Sequence, residues 1–438
     1  MANKQEAVYD AVKTLGAPKT LVLGIQHVFA MFGATVLVPI ITGLSVQVTL
    51  FCAGIGTLLF HFLTKRKVPA FLGSSFAFLG GFAAVKALPL TNSAGVALTE
   101  AEKLPYACGG IVLAGLVYVV LAALIKGFGI KRVMRFFPPI VTGPIIILIG
   151  LILAPSAISN AATNWLLAAV AILVIVIFNI WGKGMLKIVP ILMGIVISYI
   201  VALVTGKVDF TAVAQAGFVG LPPFVLAKFD VSAIIIMVPI ALATMMEHIG
   251  DIAAIGATCE RNFLANPGLH RTLLGDGLAT SLAGLVGGPA NTTYGENTGV
   301  LALTKVYDPI VMEIAAVVAV LLSFIPKFGE VVNSIPTAII GGVSFILYGS
   351  ISAIGVRNVV ENQVDLTESR NLLIAAVILV SGLGFNSVGG ITFHIGGAAI
   401  TLSGLAIAAI LGILMNAILP GNDYVFNEEE YVGDIAVP

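Results

Sequence analysis

Pro289-Ala290-Asn291-Thr292-Thr293-Tyr294-Gly295-Glu296-Asn297-Thr298-Gly299-Val300-Leu301-Ala302-Leu303-Thr304-Lys305 lies inside a long series of apolar runs, yet its first half is polar and irregular. Pro289 and Gly295 interrupt a helix, and Asn291, Thr292 and Thr293 suit a helix start. Glu296 puts an ionisable carboxyl at membrane depth. Lipid offers no water to backbone N–H or C=O groups, so a broken segment must be buried in protein or line a cavity. A short hydrophobic segment interrupted by Gly or Pro points to the binding site of a transporter.

The rest of the chain reads as scaffold for this stretch. Its 438 residues are 58% hydrophobic and 10% charged, with mean hydropathy +1.07. That composition excludes a soluble globular domain and predicts a polytopic, all-α membrane protein embedded in a lipid bilayer. Zero net charge argues against a nucleic-acid partner. Cys52, Cys108 and Cys259 have no metal-ligand spacing and read as small apolar fillers, with no metal site expected. Residues 1–19 read as a cytoplasmic tail without a secretory signal.

Apolar runs follow at about 20–43, 46–63, 69–85, 105–125, 136–154, 157–181 and 188–205. A second set falls at about 231–250, 269–287, 289–304, 309–326, 335–354, 370–389 and 398–419. Roughly 17–25 residues cross the hydrocarbon core, so 69–85 and 289–304 are marginal. With the N-terminus inside, 17 of the 22 Lys and Arg residues fall on the cytoplasmic side. That asymmetry predicts fourteen segments with both termini cytoplasmic. Loop 206–230, with Gly220 and Pro222-Pro223, reads as a turn-rich surface segment, and 420–438 as an acidic cytoplasmic tail.

The third segment of each set begins alike, Pro69-Ala70 and Pro289-Ala290, at an offset of 220 residues. An odd repeat of seven inverts the second copy, so two inverted repeats with strand-plus-half-helix segments 3 and 10 are expected. The two helix starts would meet near the midplane and present free N–H groups to a polar ligand. Ser74, Ser75, Thr292 and Thr293 are expected to cap those starts.

Glu247 and Asp251 stand four residues apart on one helical face of segment eight. A charged carboxylate at the bilayer centre costs about 2.5–3.5 kcal/mol and a protonated one much less, which ties such a site to proton uptake. Glu247 is thus the first candidate for substrate contact and proton sensing, with Asp251 one turn nearer the cytoplasm. Glu296, at a half-helix start, can accept from a substrate N–H. Asp276 is a third polar group, and His27 in segment one can carry protons. The other histidines read as nearer span ends.

Glu296-Asn297-Thr298-Gly299, with Thr304-Lys305 after a four-residue gap, resembles the signature of the nucleobase–ascorbate (nucleobase–cation symporter-2) transporter family. Gln26-His27, Phe71 to Phe78 and Glu247-His248 are similar to its members over about residues 18–415, and Glu296 is similar to the pyrimidine branch. The resemblance implies a core domain (20–130 and 231–330) and a gate domain (131–230 and 331–419) that move past each other to import uracil with protons. No cofactor beyond the proton is implied, and a homodimer through the gate domains is. It also implies that Glu247 and Glu296 bind the pyrimidine by their side chains, and that Phe76 and Gly295 offer backbone amides. Ser75 and Tyr294 would line the pocket, Tyr348 would face it from the gate, and His27 would support the polar network. Asp251 departs from the family's uracil permeases, which carry His there. A xanthine or uric-acid symporter is the alternative within the family, and an anion transporter of related fold a further one. An enzyme is not expected, because HExxH, Gly-x-Ser-x-Gly and paired metal-binding Asp motifs are all missing from the sequence.

Overall fold

The computed structural model describes residues 7–92, 94–395 and 398–421. The acidic tail lies outside them. Two long helices open the membrane part, α1 (Ala17–Thr42) and α2 (Val46–Leu63). Left-handed Gly43 ends the first, and Ser45 caps the second through the Val48 amide. Strand β1 (Leu72–Ser74) and half-helix α3 (Leu79–Ala87) follow, then α4 (Glu100–Phe128), which starts on a Thr99–Glu102 capping box. Next come α5 (Pro139–Ala162), α6 (Trp165–Trp181) and α7 (Pro190–Val204).

The second half repeats the order. Helices α8 (Val231–Met237) and α9 (Ile240–Thr258) form one span interrupted at Val238-Pro239. Helix α10 (Leu269–Leu285), strand β2 (Asn291–Thr293) and half-helix α11 (Gly295–Thr304) come next. Helix α12 (Ile310–Ser323) bends by 89° into α13 (Pro326–Asn333). Helices α14 (Thr337–Glu361) and α15 (Ser369–Ser387) lead to a hairpin of β3 (Ile391–Ile395) and β4 (Ala398–Leu402), and α16 (Gly404–Ile418) closes the described chain.

Among the described residues, seven helices are long and apolar enough to cross a membrane, or eight if the bent pair counts as one span. The other expected spans fall on shorter elements. Helices α6, α7 and α16 are apolar but have 17, 15 and 15 residues, α10 has 17, and segments 3 and 10 are half-helices. The apolar run at 398–419 starts as strand β4, not as helix; its alternating first residues pair with 391–395, and the helix begins only after the Ser403 cap. Loop 206–230 is likewise more ordered than its turn residues suggest. Val225, Ala227 and Lys228 donate backbone hydrogen bonds to Val286, Leu285 and Pro105, strapping the loop across the ends of α10 and α4.

Helices pack in two groups: α2 and α4 against α10, and α1 and α2 against α12; separately, α5 against α14 and α15, with α6 and α7 beside them. Small residues permit the close contacts, as expected where lipid supplies no drive for helix association. Gly115 and Gly277 oppose each other, and a Cβ on either would stand 2.5 or 2.7 Å from the other's carbonyl oxygen.

Candidate functional site

Each broken segment leaves strand backbone unsatisfied inside the first helix group, and a threonine from the preceding helix repairs it. The Thr57 hydroxyl accepts from the Leu72 amide at 2.9 Å and lies 3.2 Å from the Leu72 carbonyl. Thr280 does the same for Asn291, at 3.2 and 3.0 Å. The strands then pair antiparallel, Leu72 with Thr293, Gly73 with Thr292 and Ser74 with Asn291. A shift of 220 residues carries Leu72 to Thr292 and Gly73 to Thr293, so exchanging the copies turns the first pair into the second. The register therefore has the symmetry of an inverted repeat. Tyr294 and Ser75 extend the ladder by donating to the carbonyls of Phe71 and Ala290.

The expected hydroxyl caps are not there. Neither half-helix start receives a side-chain cap. Strand geometry aims these side chains sideways, away from the helix axis. Ser74 donates to the Thr35 carbonyl at 2.9 Å and Thr293 to the Asp251 carboxylate at 2.9 Å, while the hydroxyls of Ser75 and Thr292 are buried without a partner. In the first copy a turn over Ser75–Phe78 separates strand from helix, whereas α11 starts at Gly295 directly. Among the described residues no backbone carbonyl accepts from the Phe76 amide, and Gly295 heads α11 with its own amide free of the helix.

Helix α9 brings its carboxylates to this crossing. It packs against α11 and β2. Glu247 and Asp251 line one cavity of about 380 Å³, whose opposite wall carries Thr142, Arg357 and Asn358 from α5 and α14. Glu247 lies within electrostatic reach of Glu296 and Asp276. Asp251 is committed through its bond to Thr293, so it ties α9 to the second broken segment. Glu296 stands in the first turn of α11, where the helix dipole favours an anion.

Two histidines support the arrangement. His27 is buried, and the Asn297 amide donates to its carbonyl at 3.2 Å and lies 3.1 Å from its Nδ1. The 220-residue offset carries His27 onto Glu247. His248, read from the sequence as peripheral, is fully buried instead, with Nδ1 3.0 Å from an Asp276 carboxylate oxygen. Nothing in its sequence context signals this, because the partner lies on another helix. Tyr348 is buried on α14, where its backbone packs on Gly150 of α5, and it does not line the cavity that holds Glu247. Phe76 is half-buried at the turn. Ala77 and Leu79 beyond it line a separate cavity of about 470 Å³ between α3, α5 and α16.

Comparison with known proteins identifies the family. The pattern of a permease family, that of xanthine and uracil permeases, matches residues 18–389. The chain belongs to the nucleobase–ascorbate transporter family. Among family members, the uracil permease of Bacillus caldolyticus is 41% identical over 416 residues, covering 92% of each chain. The uracil permease of Bacillus subtilis is 41% identical over 415 residues, covering 90% of this chain and 91% of the relative. A probable uracil permease of Haemophilus influenzae is also 41% identical, covering 91% and 94%. Of solved structures, the murine anion transporter Slc26a9 in its inward-facing state aligns with TM-score 0.65 at 12% identity, covering 91% of this chain and 67% of that one. The transmembrane domain of the cyanobacterial bicarbonate transporter BicA aligns with TM-score 0.55 at 19% identity, covering 85% and 100%. At those identities the likeness is one of fold. This nucleobase–ascorbate transporter family member is thus a multi-pass membrane permease, not an enzyme.

Proposed function

We propose that this permease imports uracil across the cytoplasmic membrane, coupled to protons, through fourteen segments arranged as core and gate. The observation that carries the reading is the antiparallel pairing of the two broken segments, with the Glu247 helix packed on the second of them and Glu296 in the first turn of α11. Uracil is a flat ring with two N–H donors and two carbonyl acceptors. Carboxylates of Glu247 and Glu296 accept its N–H groups, and the amides of Phe76 and Gly295 donate to its carbonyls. Relatives bearing the name uracil permease over nine-tenths or more of this chain support that substrate.

The first helix group is the core and the second the gate. A cavity of about 380 Å³ lies between α9 and the α5–α14 pair, and one of about 470 Å³ lies between α3, α5 and α16, so both run between the groups, as alternating access requires. A carboxylate at membrane depth is costly to carry charged, which supports reading these acids as the coupling site. Asp251 joins the coupling through its contact with Thr293.

The test is radiolabelled uracil uptake into proteoliposomes with and without an inward proton gradient, competed by unlabelled xanthine. Gradient-driven uptake that xanthine leaves unchanged is expected. Uptake indifferent to the gradient would remove the coupling, and no uptake by folded protein would remove the substrate. Asp251→Asn keeps an acceptor for Thr293, so uracil affinity is expected to stay within about twofold while gradient-driven accumulation falls. Unchanged accumulation would exclude Asp251 from the coupling.

A further inference from the structure

Ser74 and Tyr294 are separated by 220 residues, the offset of the two broken segments, so equivalent positions of the two copies touch. The Tyr294 hydroxyl donates to the Ser74 carbonyl at 3.0 Å. The Ser74 hydroxyl donates to the Thr35 carbonyl at 2.9 Å, and the Thr35 hydroxyl stands 3.4 Å from the Tyr294 oxygen. All three residues are buried, Ser74 and Thr35 completely. The tyrosine ring crosses the face of Gly73, where a Cβ would stand 2.3 Å from the ring, so glycine is needed for the ring to reach. The hydroxyl is thereby committed to protein and is not free for a ligand.

The position of this contact gives it a consequence. Tyr294 directly precedes Gly295, and the Ser74 carbonyl lies two residues before Phe76. These are the two amides assigned above to the uracil carbonyls, and they sit on segments with no local connection. We propose that Tyr294 is a positioning residue: its hydroxyl, bonded to the Ser74 carbonyl, ties the two broken segments together and holds the Phe76 and Gly295 amides at the spacing a pyrimidine dione requires. The inference rests on the reading that substrate sits at the two helix starts. Pre-organised donors of this kind act on affinity, because the cost of aligning them is met in folding rather than on binding.

The experiment compares uracil uptake kinetics of the parent, Tyr294→Phe, Gly73→Ala and the double variant in proteoliposomes. Tyr294→Phe removes the hydroxyl, and Gly73→Ala pushes the ring off the Ser74 carbonyl without changing either partner. Loss of one buried neutral hydrogen bond corresponds to about a fivefold effect. Both single variants are expected to raise KM about fivefold with the maximal rate within about twofold, and the double variant no more than the larger single. Unchanged KM in Tyr294→Phe would overturn the proposal. So would a raised KM in Tyr294→Phe with an unaffected Gly73→Ala, which would mean direct ligand contact by the hydroxyl. A fall in maximal rate at constant KM would mark a merely structural role and also overturn it. If Tyr294→Phe does not fold, Gly73→Ala alone is held to the same split. Absence of uracil uptake by the parent would remove the proposed function and the inference with it, whereas parental uptake with unaltered variants removes the inference only.

Discussion

The two broken segments solve one backbone problem in two ways. In the first, neighbouring side chains hold the strand. Thr57 brackets Leu72, the buried His61 lies 2.8 Å through Nε2 from the Ala70 carbonyl, and Glu313 holds the turn before it through a bidentate pair with Arg66 whose Nε contact is 2.6 Å. In the second, the segment's own side chains reach outward as well. Asn291 donates to the carbonyls of Cys52 and Ala279, Thr293 to Asp251, and Asn297 to His27. After the break the first copy continues with Phe76, Ala77 and Phe78, the second with Glu296, Asn297 and Thr298. Polar side-chain chemistry is thus concentrated on the second copy. An asymmetric ligand calls for that division.

Substitutions can break this comparison. The largest effect is expected from Glu296→Gln, which removes a charged acceptor worth about 1.5–3 kcal/mol. Uracil binding should fall by roughly 10- to 150-fold on that figure, measured by equilibrium binding to purified protein; a fall of less than threefold would separate Glu296 from the ligand. Next comes Gly73→Ala, which forces a methyl group against the Tyr294 ring. Overpacking of this sort costs about 1–3 kcal/mol, so a lower midpoint of thermal unfolding in detergent is expected. Thr57→Val and Thr280→Val test whether the two strand brackets carry equal weight, although the 220-residue offset places Gly277, not Thr280, opposite Thr57. Each strands a buried amide at about 1–3 kcal/mol, and the two should lower stability alike. A difference of more than twofold in their effects would show that the brackets are not equivalent. The smallest effect is expected for Phe76→Ala, because the first copy contributes backbone rather than side chain. Its KM should rise no more than a few-fold, and a loss rivalling that of Glu296→Gln would erase the distinction between the copies.

Much of the site was legible before any contact was known. Pro289, Gly295 and the polar run between them are incompatible with continuous helix, and Glu296 in such a break has few other uses in a membrane. Glu247 and Asp251 share a face by spacing alone. The roles of the hydroxyls were misread, because capping is a local rule and these side chains belong to strands that serve distant helices. Tyr348, given to the pocket by resemblance, is buried on α14 in the second helix group beside α5.

The sequence by itself determined the membrane class, the two interruptions and the acids placed beside them. These depend on hydropathy, helix period and backbone chemistry, all of them properties of a short window. Tertiary structure alone decided the β1–β2 register, the His248–Asp276 contact, the Asp251–Thr293 bond and the crossing of Tyr294 over Gly73. The register and the Tyr294 crossing join residues about 220 positions apart, and the other two contacts join separate elements. No local preference can encode which buried donor meets which acceptor once the helices have packed.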